Sequence, residues 1–301
     1  MASFADTIAQ HVVLSLICLI VLALATTAIV WRLLEHLGPT LWDSASRVWS
    51  RLSASPWVQR VARWPGIRHA LLHTLTVGRY LGMHALISFL IAFAAMAAFF
   101  ELADEIGIDE SLAQFDELLR SAMAAHASET VLAAMAAASF LGDKLFLLPL
   151  ATLITIVLLL KRHRLLAFSR AFGTALGALL NRLLKAIFER SRPVHAHEFV
   201  DVDGWSFPSG HASGAMLVYG LLAYILIRHT DRAWHIPIAL VSVTLIVLVG
   251  FSRVILQVHY LSDVLAGYAS GGAWSALCIA GYEGLRRNAL RSAGARAQPQ
   301  I

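Results

Sequence analysis

An all-α bundle of transmembrane helices is the fold class this sequence predicts, and three observations predict it. Of 301 residues, 58% are hydrophobic and 14% charged, against about 45–50% and about 25% in a soluble domain. The mean hydropathy is +0.68. Apolar runs of roughly 20 residues, enough helix to cross the hydrocarbon layer, recur at 11–31, 82–100, 143–160, 164–184, 211–228, 236–252 and 260–282. These seven runs are the expected spans of a polytopic bundle: a six-span core and an extra N-terminal span.

No basic stretch precedes the first run, whereas Arg32, Arg47 and Arg51 follow it. That order suits a retained span with its N-terminus outside. Residues 40–75 then interleave Trp42, Trp49, Trp57 and Trp64 with Arg47, Arg51, Arg60, Arg63 and Arg68. Indole favours the headgroup level and guanidinium favours anionic lipid, so one or two interfacial helices are expected, broken at Pro56 and Pro65. A basic–aromatic mixture can also hold single-stranded nucleic acid. This one abuts two spans, so a membrane is the expected partner and nucleic acid is not.

Residues 108–123 set Ile108, Leu112, Phe115, Leu119 and Met123 at helical spacing, with Asp109, Glu110, Asp116 and Glu117 as an acidic opposite face. The expectation is a lid or packing helix outside the membrane. Residues 129–142 read as a surface helix leading into the span that Asp143 and Lys144 open; those two side chains could reach the headgroup, but snorkelling to the interface is the expected reading. Beyond about 287 the chain reads as disordered. Three regions result: an N-terminal span and Trp/Arg segment at 1–79, a core at 80–285, and a basic tail at 286–301. Cys18 and Cys278 sit in apolar stretches and read as small buried hydrophobes.

Basic residues orient the bundle, because they concentrate on the cytoplasmic side. Seven arginines between 32 and 80 outnumber Glu35 and Asp43. Lys161, Arg162 and Arg164 form a second cluster, Arg228 and Arg232 a third, and Arg286, Arg287, Arg291 and Arg296 a fourth. With seven spans all four fall on one side, so the span ends near 185–192, 209–211 and 253–263 share the outer side.

Ionisable groups at span ends are costly, and each needs a reason. Lys185 and Arg192 are seven apart, near two helical turns, and can share a face until Pro193 stops the helix. A guanidinium fork and an ammonium on one stripe suit a phosphate dianion; Arg190 is expected to point elsewhere. Phe207-Pro208-Ser209-Gly210-His211 marks a helix start, whose free N–H groups make an anion site. Gly210 permits close approach, and His211 stands where it can protonate a leaving oxygen. A plain N-cap has the same sequence. His259 and Asp263 are four apart, hence neighbours on a helical face. The acid would fix the imidazole tautomer and leave the other nitrogen a lone pair for attack; a structural hydrogen bond is the alternative. Arg253 adds a third cation.

Together, Lys185-x6-Arg192-Pro193, Pro208-Ser209-Gly210-His211 and Ser252-Arg253-x5-His259-x3-Asp263 resemble the three-part signature of type 2 phosphatidic acid phosphatases, at every position and in order. The resemblance covers about 80–285, the six-span core, and leaves 1–79 outside. It implies a metal-independent enzyme without cofactor, with its site at the outer face of the membrane and a lipid phosphate or polyprenyl pyrophosphate as substrate. It implies Lys185, Arg192, Ser209, Gly210, His211 and Arg253 as the phosphate cradle. The expected function is hydrolysis through a phospho-histidine at His259, in a bacterial-type inner membrane with a periplasmic site. Undecaprenyl pyrophosphate, phosphatidylglycerol phosphate, phosphatidic acid and lipid A phosphate all fit. Two alternatives stand beside it: phosphotransfer to another lipid, and a non-catalytic lipid-binding or transport homologue. His195 and His197, with Glu198, Asp201 and Asp203, would suit a metal, although a polar loop over the site mouth is the expected reading.

Overall fold

The structure, a computed structural model, describes residues 1–53, 55–56, 82–106, 111–194, 197–200 and 202–296. Its helices in chain order are α1 (Ala2–Gln10), α2 (Val12–Ser53), α3 (Gly82–Asp104), α4 (Ser111–His126), α5 (Glu129–Phe140), α6 (Lys144–Leu160), α7 (Arg164–Phe188), α8 (Gly210–His229), α9 (Arg232–Ile255) and α10 (Leu261–Arg296). No strand occurs among the described residues. Among the described residues six stretches are long and apolar enough to cross a membrane: Val12–Gly38 in α2, Glu129–Leu160 across α5 and α6, then α7, α8, α9 and Leu261–Ala289 of α10. α3, 23 residues long, is the remaining expected span and packs along α10.

Each expected span has its helix, but three boundaries differ. α2 runs unbroken to Ser53, so the first part of the Trp/Arg segment continues the span instead of forming a separate interfacial helix. Trp57, Arg60, Arg63, Trp64, Pro65 and Arg68 lie outside the described residues. The tail expected to be disordered from about 286 is helical to Arg296, a continuation of α10. The amphipathic helix is described from Ser111 and runs on to His126, with Ile108, Asp109 and Glu110 outside the described residues, and Asp116 is not on its exposed face: it is 2% exposed, among Leu119, Ala122 and Met123.

α8 is the central helix, against α6, α7, α9 and α10. Its crossing with α10 is close because α10 presents Gly267 and Gly271. A Cβ at Gly267 would stand 2.7 Å from the Ser209 carbonyl oxygen, and one at Gly271 would stand 2.6 Å from that of Ser213. Small residues four apart let two backbones approach in this way. Short turns at 161–163, 230–231 and 256–260 make antiparallel neighbours of α6 and α7, α8 and α9, and α9 and α10, and the longer 189–209 segment returns the chain from α7 to α8 at the same end. The beginnings of α6, α8 and α10 and the ends of α7 and α9 therefore share one end of the bundle. Lys161, Arg162, Arg228, Arg232 and Arg286 mark the other, where the buried Glu283 accepts from Tyr224, Arg228 and Arg286.

At the first end, α1, α4 and α5 form a layer over the bundle. Ala5, Ala9, Leu119, Met123 and Leu132 pack with Val254, Ile255 and Leu256 into one apolar cluster. Phe207, fully buried, is wedged between Phe99 of α3 and Phe188 of α7, with ring centroids 5.6 and 4.9 Å away. Burying an aromatic ring of this size anchors a loop firmly. It fixes the segment that leads into α8.

Candidate active site

The three signature segments meet at this end, each for a local reason. α7 stops at Phe188 because Glu189 takes a left-handed conformation (φ 45°) and its N–H returns to the Lys185 carbonyl. Lys185 is thus in the last helical turn, while Arg190 and Arg192 lie in the extended segment beyond. The shared helical face expected for Lys185 and Arg192 does not exist. They meet because Arg192 reaches back over the loop, donating to the carbonyls of Asp203 (3.1 Å), Gly204 (2.9 Å) and Val258 (2.9 Å). Lys185 Nζ donates to the carbonyls of Trp205 and Ser206.

Ser209 is the N-cap of α8, its Oγ accepting from Ala212 N, and its own N–H donates to the Asp263 carbonyl at 2.9 Å. The α8 N-terminus, with the positive end of its dipole, therefore opens beside α10. Gly210 lies close to Asn181, whose Oδ1 would be 3.2 Å from an added Cβ.

α9 ends at Ile255, and Gln257 (φ 51°) turns the chain, so His259 sits in the connector and not on a helix. Asp263 is in the first turn of α10, where its Oδ2 accepts from Tyr260 N at 2.9 Å. The expected His259–Asp263 contact exists, with Nδ1 to Oδ2 at 3.3 Å, but across a helix start rather than along a helical face.

Around His259 the partners settle the tautomer. Arg192 Nη1 lies 3.1 Å from Nε2. A guanidinium only donates, so Nε2 carries the lone pair and Nδ1 carries the proton. Nδ1 faces Asp263 Oδ2 and, at 3.2 Å, Ser206 Oγ, which itself donates to Asp263. His259 is 3% exposed, and burial pushes its pKa down to about 3, opposed by Asp263 and assisted by Arg253 and Arg192. A buried imidazole resists taking a second charge. Burial also lowers the Arg192 pKa, with Asp263 and Asp203 opposing.

Arg253 is 1% exposed; Nη1 donates to Ser139 Oγ at 2.7 Å, and its buried Nε has no hydrogen-bond partner. A buried guanidinium with an unused donor is costly unless an anion takes it. His211 is within electrostatic reach of Arg253, His259, Arg192 and Lys185, so the two imidazoles and three cations gather at the same end of the bundle. The His211 ring has Asp143 Oδ2 3.6 Å from its Nε2. Asp143 therefore does not snorkel away: its Oδ1 caps α6 at Leu145 N and its Oδ2 faces the pocket.

Sequence reasoning missed four partners. Arg190, expected to point elsewhere, bonds Asp263 Oδ1 and Ser262 Oγ, each at 2.7 Å, and Asp116 Oδ2 at 3.0 Å. Asp116 did leave a signal: with Leu112, Leu119 and Met123 it completes an i, i+4, i+7, i+11 stripe, an acid on the apolar face. Ser139 and Ser206 left none. Among the described residues, no group of three or more His, Cys, Asp or Glu is arranged to hold a metal. His197 contacts the Leu256 carbonyl through Nε2 at 2.7 Å; His195 and Asp201 lie outside the described residues.

The profile of the PAP2 superfamily matches residues 166–287. Phosphatidylglycerophosphatase B of Bacillus subtilis (strain 168) is 38% identical over 141 residues, which are 46% of this chain and 68% of that protein. The chain belongs to the PAP2 superfamily. Other relatives in this superfamily match over shorter shares. The lipid A 1-phosphatase of Rhizobium johnstonii is 34% identical over 36% of this chain and 44% of its own length. The decaprenylphosphoryl-5-phosphoribose phosphatase of Mycobacterium tuberculosis is 34% identical over 39% of this chain and 60% of its own length. The crystal structure of a transmembrane PAP2 type phosphatidylglycerolphosphate phosphatase from Bacillus subtilis superposes with a TM-score of 0.58 at 27% identity, covering 70% of this chain and 99% of that one. This chain is thus an integral membrane phosphatase of the PAP2 superfamily. Its profile match contains all the signature residues and excludes Asp116, Ser139 and Asp143.

Proposed function

We propose that the chain hydrolyses a lipid phosphate through a phospho-histidine at His259, with the site on the outer face of a bacterial-type inner membrane. The observation that carries this reading is the Arg192–His259 contact, which leaves the Nε2 lone pair directed at the cation cluster. Arg192, Lys185, Arg253 and the N–H groups opening α8 would take the nonbridging phosphate oxygens, since phosphoryl transfer is governed by positioning and charge stabilisation. Nε2 attacks phosphorus, the bond to the leaving oxygen breaks, and His211 gives that oxygen its proton. The Nδ1 proton stays with His259, held by Asp263, which stabilises the imidazolium character of the adduct. A water then attacks phosphorus and gives its proton to the now neutral His211. The P–N bond breaks, and inorganic phosphate leaves.

Phosphatidylglycerol phosphate is the substrate we favour, because the Bacillus subtilis relatives named for it match over 68% and 99% of their own length. The outer-face assignment rests on the basic residues at the opposite end of α6 to α10. Exposed Val194, Phe199 and Trp205 around the pocket suit a site beside lipid.

The test is a panel of lipid phosphates and pyrophosphates in detergent with EDTA present, comparing the native chain with His259→Ala. Phosphate release from the phosphatidylglycerol phosphate micelles, insensitive to chelation and lost in the variant, is the expected result. Turnover that EDTA abolishes, or that His259→Ala retains, overturns it.

A further inference from the structure

We propose that Asp116 of α4, acting through Arg190, is a positioning residue for the His259–Asp263 pair, so that a helix outside the profile match is part of the catalytic machinery. This rests on the reading of His259 as nucleophile given above.

The observations form one buried chain of contacts. Asp263 divides its carboxylate. Oδ1 accepts from Arg190 Nη1 at 2.7 Å, and Oδ2 serves His259 Nδ1, Ser206 Oγ and Tyr260 N. The orientation of Oδ2 toward the imidazole therefore depends on what holds Oδ1. Arg190 is itself held by its other branch: Nη2 donates to Asp116 Oδ2 at 3.0 Å. Asp116 is fixed in turn. Its Oδ1 accepts from Ser262 N at 3.1 Å, and its Oδ2 accepts from Ser262 Oγ. Ser262 also takes Arg190 Nη1 at 2.7 Å. The guanidinium further lies over the Tyr260 ring, 4.4 Å from its centroid. Both carboxylates are buried, at 2% and 0% exposure.

Charge explains why both acids are present. One guanidinium between two buried carboxylates, with a planar fork addressing each, is a rigid bridge that a lysine cannot copy. The bridge ties α4 to the first turn of α10 and fixes the residue that orients the nucleophile. Asp116 touches no reacting atom. Its Ser262 partner makes no side-chain bond to Asp263 or His259, so the hold of Asp116 on the Asp263 carboxylate passes through Arg190.

A double-mutant cycle on kcat and KM tests this, with phosphatidylglycerol phosphate in detergent and folding followed by thermal unfolding. Asp116→Asn is expected to lower kcat by about 10–100-fold with KM nearly unchanged, the cost of misplacing a reacting group by an ångström or less. In an Arg190→Gln background, Asp116→Asn is expected to cost nothing further, or to restore some turnover, because it then removes an unpaired buried charge. Independent losses that multiply in the double variant would overturn the proposal, as would an Asp116→Asn enzyme with native kcat. Should Asp116→Asn fail to fold, Arg190→Lys carries the test. It keeps the charge and loses the fork, so kcat must fall at unchanged KM, and native kcat there overturns the proposal. His259→Ala is run alongside. If that variant keeps its turnover, the nucleophile assignment has failed; if it is inactive while the losses multiply, only the role of Asp116 has.

Discussion

Replacing Asp263 by Asn keeps the volume of the side chain and changes one acceptor into a double donor. Every neighbour of the native carboxylate donates. Arg190 Nη1 approaches Oδ1 at 2.7 Å, while Tyr260 N at 2.9 Å, Ser206 Oγ and His259 Nδ1 at 3.3 Å approach Oδ2. An amide NH2 must therefore face either the guanidinium or the imidazole side. Stranding a buried donor costs about 1–3 kcal/mol, and losing the charge-assisted bond to the imidazole about 1.5–3 kcal/mol more. If the NH2 turns toward His259, it selects the opposite tautomer and puts a proton on Nε2, against Arg192, which has no acceptor. At about 1.4 kcal/mol per tenfold, kcat should fall by roughly 10²–10⁴-fold. The assay is steady-state phosphate release in detergent, with substrate affinity measured separately by a nonhydrolysable phosphonate. An Asp263→Asn enzyme within about threefold of native kcat would refute the tautomer reasoning.

Other expectations follow from the same geometry. Asp143→Asn removes the carboxylate 3.6 Å from His211 and should slow alkyl phosphates, whose leaving oxygen needs a proton, far more than an aryl phosphate, whose leaving group does not; equal slowing of both would contradict it. Gly267→Ala puts a Cβ 2.7 Å from the Ser209 carbonyl, so a cost of about 1–3 kcal/mol in stability is expected, with lower kcat from displacement of the α8 N-terminus; thermal unfolding and turnover check both. The folded pKa of His259, about 3, lies below its ordinary 6.5, so the unfolded chain binds the extra proton in between. Stability is unaffected by this group above pH 6.5 and falls as the pH drops from there toward 3. His259→Asn should flatten that acid loss in a pH series of thermal unfolding, and an unchanged slope would count against it.

Apolar length and basic-residue placement made the helices and their antiparallel order legible, because both follow from what a bilayer permits. That the signature residues converge at one end of the bundle was legible too, but for partly wrong reasons. Lys185 with Arg192, and His259 with Asp263, were paired by helical spacing. Yet α7 ends at Phe188 and α10 begins only at Leu261, so the first pair meets beyond a helix end and the second across a helix start. Left-handed residues at Glu189 and Gln257 decide this, and neither is a glycine that would announce it. Arg190, Asp116 and Asp143 escaped because their roles depend on contacts between segments distant in sequence. Asp116 to Ser262 joins α4 to α10, and Asp143 to His211 joins α6 to α8. Of these only Asp116 broke a local pattern, as an acid on the apolar stripe of its helix.

The most direct measurement is rapid chemical quench of the enzyme turning over radiolabelled lipid phosphate, followed by mapping of the label. His211→Ala should slow breakdown of the adduct and let it accumulate. The label is expected on His259, stable to alkali and labile to acid as a phosphoramidate is. Label on another side chain, or turnover with none at any quench time, would contradict the assignment of His259 as the nucleophile.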